Sequence, residues 1–145
     1  MAATDYTVQL RRAILPILKA NTVIASLCAG RVYSESPPAL PTWPFIRYGA
    51  TINTPTEWSC ADGSNMSVTI HVFDKTPGID QCARMVRAAI RALDERTIQL
   101  EADQDTGETA TAVECYVTQS QIIRDGDDVN AHHGIVSLSV VVASD

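Results

Sequence analysis

With 145 residues, 46% hydrophobic and 19% charged, the chain has the size and composition of one globular domain, which excludes a disordered or fibrous protein. Its formal charge of −6 is uneven: residues 1–100 carry ten basic and eight acidic side chains, net +2, and residues 101–145 carry one and nine, net −8. An acidic surface disfavours sequence-reading nucleic-acid binding. No apolar run exceeds the four residues 140–143, so no membrane span is expected, and the first residues lack a signal peptide's basic and apolar regions.

Residues 5–20 have helical spacing, with Leu10, Ile14, Ile17 and Leu18 on one side, Thr4 or Asp5 as cap, and Pro16 expected to kink or divide the helix. Thr22 starts a second short helix with Val23, Ile24 and Leu27 inward, closed by Gly30, so 5–29 reads as helical. Residues 31–33 are extended. Prolines 37, 38, 41 and 44 make residues 34–44 an ordered surface excursion within a strand region covering 31–74. Strand character resumes at 45–54, and Asp62-Gly63 reads as the turn of a hairpin leading to the alternating strand 66–73.

Residues 79–95 carry the clearest helix, a single long central one, with Ile79, Cys82, Ala83, Val86, Ile90 and Leu93 inward. Arg84, Arg87 and Arg91 line its other side, with Asp80 and Asp94 at ion-pairing distance along the helix. Residues 97–143 are β again: a short strand at 97–100, an acidic loop turning at Gly107, and a bulged strand at 112–124. An acidic turn at 125–128 and a closing strand at 134–143 follow. The order αα-β-β-β-α-β-β-β predicts one α+β domain over 1–145, with a mostly antiparallel or mixed sheet and the helices on one face.

The chemistry-bearing residues form no catalytic signature. Cys28, Cys60, Cys82 and Cys115 include no CxxC pair, and Cys28 and Cys82 read as core residues. His71 has no partner nearby in sequence, and the adjacent His132 and His133 point to opposite faces of an extended segment, so a surface turn is their expected place. The acidic turn lacks the twelfth-position glutamate of an EF-hand, and a hairpin explains it. Trp43 and Trp58 are either buried under the excursion and hairpin or anchors of an interface. The arginine stripe is either a solvated face or a partner for acids such as Glu101, Asp103, Asp105 and Glu108.

The ordered features carry a resemblance. A helix leads to Leu27-Cys28-Ala29-Gly30-Arg31-Val32-Tyr33, and a proline-rich stretch enters Pro44-Phe45-Ile46-Arg47-Tyr48-Gly49. The strand 68–73, the helix 79–93 and the ending Arg124-Asp125-Gly126-Asp127 … His133-Gly134-Ile135-Val136-Ser137-Leu138 follow. From about Thr7 to Val142 the chain resembles the tail-completion, or tail-terminator, proteins of long-tailed bacteriophages and gene transfer agents.

That resemblance implies a structural virion subunit at the head–tail interface, made in the host cytoplasm. Copies form a six-fold ring that caps the tail tube and joins it to the head connector. The implied partners are further copies of the chain, the major tube protein and a connector or stopper protein. DNA passes through the lumen without specific binding, and neither cofactor nor reaction is involved. The arginine stripe, the four acids and the two tryptophans are then the candidate contact residues. Two alternatives stand beside it: another neck subunit, such as a head-completion or stopper protein, and a small-ligand-binding α+β domain.

Overall fold

A computed structural model describes residues 5–58 and 61–145, with only the backbone for residues 57, 58, 61 and 62. Helix α1 (Thr7–Ala20) buries Gln9, Leu10, Ile14 and Leu18, one side of a helical repeat. It is not divided at Pro16. Tyr6, not Asp5, is its N-cap residue, and the Asp5 carboxylate accepts the Thr7 N–H at 2.7 Å; Thr4 lies outside the described residues.

Helix α2 (Thr22–Cys28) starts where the Asn21 side chain accepts from the N–H groups of Val23 and Ile24, at 3.0 and 3.1 Å. It buries Ile24 and Cys28, while Val23, expected inward, faces solvent: a seven-residue helix has room for one buried pair at i and i+4. Ala29 and Gly30 end it in the left-handed region.

Six strands form one sheet in the order β1-β2-β3-β6-β5-β4. They are β1 (Val32–Tyr33), β2 (Phe45–Trp58), β3 (Ala61–Asp74), β4 (Ile98–Gln99), β5 (Ala110–Arg124) and β6 (His132–Ser144). β1 joins β2 in parallel, and the other neighbours are antiparallel, so the sheet is mixed.

The β2–β3 hairpin is longer than the sequence suggests. Asp62 and Gly63 lie within the ladder, opposite Glu57 and Thr56, so the chain does not reverse there. The ladder continues as far as Trp58 opposite Ala61, and residues 59 and 60, Cys60 among them, lie outside the described residues. Pro55 lies in β2 opposite Ser64, where among the described residues no strand pairs with the outer side of β2, the kind of edge position at which a strand tolerates proline. The expected irregularity in β5 takes the form of two register shifts, at Ala112/Glu114 and Val117/Gln119.

Helix α3 (Asp80–Leu93) packs on β3, β5 and β6 and buries Cys82, Met85, Val86, Ala88, Ala89 and Leu93. It has 14 residues, as α1 does, so it is not the single long helix of the chain. Ile79 falls outside it and is exposed. The buried Asp74 at the end of β3 holds the approach to α3, accepting from Gln81 Nε2 at 2.9 Å and from the Thr76 hydroxyl.

All three helices lie over one face of the sheet. The core between the layers is built from Met66, Val68, Ile70 and Val72 of β3 and Val136, Leu138, Val140 and Val142 of β6, under the helical residues above. Gly134 sits where a Cβ would run into Val86, which lets α3 approach β6 closely. Among the described residues, no helix is long and apolar enough to cross a membrane.

Candidate assembly surfaces

Arg84, Arg87 and Arg91 repeat at helical spacing on the side of α3 turned from the sheet, and all three are exposed. With Val23 and Ala88 they line a shallow depression beside α2. Their expected helical partners are not engaged. Asp94 turns the other way, where its Oδ1 accepts the Val117 N–H of β5 at 2.8 Å. The ion pairs found among the described residues lie elsewhere, Arg11–Glu35 at 3.3 Å and Arg12–Glu101 at 3.7 Å.

The acidic loop between β4 and β5 is built around Asp103. Its Oδ1 accepts from the N–H groups of Asp105 and Thr106 at 2.8 and 2.9 Å, and its Oδ2 from Gln9 Nε2 at 3.2 Å. These donors hold its carboxyl below the usual carboxylate range, the backbone N–H of Thr106 first. Asp103 therefore shapes the loop, and Glu101 is engaged by Arg12. Asp105 and Glu108 are exposed. The loop and the N-terminal turn of α1 line a second depression, which shares no residue with the arginine one. Within one chain the stripe and the acids do not meet.

The helix-free face of the sheet carries a second cluster. Phe45 and Phe73 are opposite each other in the ladder and stack at 4.7 Å, and Phe73 stacks on His133 at 4.3 Å. Trp43 meets both phenylalanines edge-on at 5.5 and 5.6 Å, and the Lys75 ammonium lies 4.4 Å from its ring centre. Trp43 is thus half-buried and fixed in place; the Trp58 side chain lies outside the described residues.

The proline-rich excursion is tied at both ends, by Arg11 to Glu35 and by Arg31, whose Nε donates to the Pro44 carbonyl at 2.9 Å. Between the ties, Leu40 is 93% exposed.

His71 Nδ1 and His133 Nε2 share a hydrogen bond of 2.7 Å, and His71 Nε2 lies 3.1 Å from Thr69 Oγ1. His133 is therefore a strand residue with a partner, and His132 is buried at the start of β6; neither is in a surface turn. Burial, then the positive charge of Arg47, push His71 down to about 4, and burial lowers His133 as well, against the raising effect of Asp125. The pairing joins residues 62 apart in sequence, so local reading missed it. An aromatic at position 73 on the outward side of an alternating strand was the available signal. Cys82 and Cys115 are buried among apolar neighbours, which raises their thiols to about 11. Among the described residues, no three His, Cys, Asp or Glu side chains gather to hold a metal ion.

The family described as tail completion protein gp17 matches residues 12–143. In fold the chain is similar to one in a solved structure described as the virion of a native gene transfer agent particle. The TM-score is 0.80 at 17% identity, over 97% of this chain and 99% of that one. No curated protein matches the sequence.

Proposed function

We infer, since this chain belongs to the tail completion protein gp17 family, that copies of it close into a six-fold ring on the end of a tail tube. The chain is a structural protein of a phage-type virion tail. In the proposed ring it ends the tube and presents a surface to the connector or stopper protein of the head, while DNA passes through the lumen unheld. An acidic chain of net charge −6 suits that passage, because it repels phosphate.

The observation that supports a ring is the separation of two opposite charged surfaces on one chain. A head-to-tail contact joins different patches of the same molecule, and such contacts generate rings when the rotation closes. Arg84, Arg87 and Arg91 lack an ion pair among the described residues, and Asp105 and Glu108 stand exposed on a loop lining another depression. In the ring the stripe of one copy faces the acidic loop of the next. Leu40 and the tethered excursion, like the acidic loop, extend toward tube or connector.

The test is the double variant Arg84→Glu/Arg87→Glu, followed by native mass and negative-stain images. The expected result is a subunit with unchanged circular dichroism that no longer forms rings. Rings of normal size and abundance would overturn the charge pairing. Recovery of the protein on tails made without heads would distinguish the tube-capping subunit from a stopper on the head side.

A further inference from the structure

β2 and β5, the long strands next to the two-residue edge strands, are each left about half uncovered. β1 covers β2 only at Ile46 and Arg47, so residues 51–58 have β3 on one side and, among the described residues, no strand on the other. β4 covers β5 only at Thr111 and Ala112. The segment after α3 covers the next stretch, where Glu95 N–H donates to the Cys115 carbonyl at 2.7 Å and Val117 N–H to Asp94. Beyond Val117, residues 118–124 have β6 alone as a neighbouring strand. The open stretches lie at opposite ends of the sheet, since β2 opens near its hairpin with β3 and β5 opens near its hairpin with β6.

Protein sheets usually guard such edges with lysines, charges or very short strands. Here residues 51–58 contain one charged residue, Glu57, and residues 118–124 one, Arg124; neither stretch contains lysine. The rest is mostly threonine, serine, asparagine and glutamine. Each stretch also holds one exposed isoleucine on the helix-free face. Ile52 is 64% exposed and opposite Ser67 of β3; Ile123 is 45% exposed and opposite His133 of β6.

We propose that these edges pair between copies: the open half of β2 in one copy lies antiparallel to the open half of β5 in the next, with Ile52 opposite Ile123. This rests on the reading that copies associate head to tail. The register that joins the isoleucines also sets Thr54 against Gln121 and Thr51 against Arg124, so the two open stretches overlap from end to end. Continued past Arg124, it brings Asp125 of the acidic turn beside residue 50 of the first copy, where the joint stops short of the edge that β1 occupies at Ile46 and Arg47. The covering segments β1 and β4 fall beyond the two ends of the joint and do not obstruct it. Pro55, having no N–H, shortens the new ladder by at most one bond. Each copy is then displaced along the strands by about half a strand from the last, and a stagger of that kind accompanies strand tilt when a sheet closes on itself.

Cysteine trapping tests the register. Thr54→Cys and Gln121→Cys are placed together in a Cys60→Ser background, in which the described remaining cysteines are buried. In one chain they sit on opposite edges of the sheet, so a disulfide between them joins two molecules. Mild oxidation of the concentrated protein should give a ladder of linked multimers on a non-reducing gel, and either cysteine alone should not. A second experiment replaces the exposed Ile52 with lysine, which should reduce assembly at least tenfold. Ile52→Lys/Ile123→Glu should restore it. Rings that form without the disulfide ladder, and that tolerate Ile52→Lys, would overturn the edge pairing and leave the ring standing. Protein that stays monomeric at every concentration, and also when purified tail tubes are added, would overturn both.

Discussion

A proton arriving at His71 meets Arg47 on one side and the His133 ring on the other, inside a partly buried cluster. Its folded pKa of about 4 lies below the unfolded value of about 6.5, so the unfolded chain binds the extra proton between them. The stabilisation is complete above about pH 6.5 and is lost as the pH falls toward 4. His133, lowered in the same direction, adds to the slope. Thermal melts from pH 7.5 down to 5 should therefore show a falling Tm, and His71→Phe, which keeps a ring beside Phe73, should flatten the dependence. An unchanged slope in that variant would remove His71 as its cause. Thr69, two residues before His71 and on the same face of β3, helps explain Gly49: a Cβ there would collide with Thr69 Oγ1 and His71 Nε2. Because that packing crosses strands, nothing near position 49 in sequence discloses it.

The elements themselves were largely legible, because α1, α3, β3 and β6 each repeat their apolar residues at one clear period. Errors arose where a second neighbour decides the outcome. Val23 has helical spacing, but α2 packs by Ile24 and Cys28; Asp62-Gly63 is good turn chemistry, but β3 pairs straight through it. The arginine and acidic patches were legible as charges, while the edge isoleucines were not, since only the strand order shows that no described strand pairs with the edges that carry them. α2 offers the clearest energetic test of an element. Asn21→Ala leaves the N–H groups of Val23 and Ile24 without their acceptor and should cost about 1 kcal/mol in urea unfolding, with Asn21→Ser near neutral. A loss below about 0.3 kcal/mol would mean that the packing of Ile24 and Cys28 alone holds the helix.

Over the whole molecule, the C-terminal third carries the acid and the rest a slight positive excess, which makes a head-to-tail contact electrostatically directional. Raising the salt from about 0.1 M to about 1 M shortens the Debye length from about 10 Å to about 3 Å. Ring dissociation measured by mass photometry should then increase several-fold; no change would mean that the arginine stripe contributes nothing to the contact. The strand order has a consequence of another kind. β6 comes after every other element in sequence yet lies between β3 and β5, near the middle of the sheet. During synthesis, the β2–β3 hairpin and β5 emerge first and wait, each without the strand that neighbours its inner edge, until residues 132–144 leave the ribosome and join them. A nonsense mutation between Arg124 and His132 therefore removes the seam of the sheet rather than its border, and leaves the β2–β3 hairpin and β5 held together only through α3 and the chain between them.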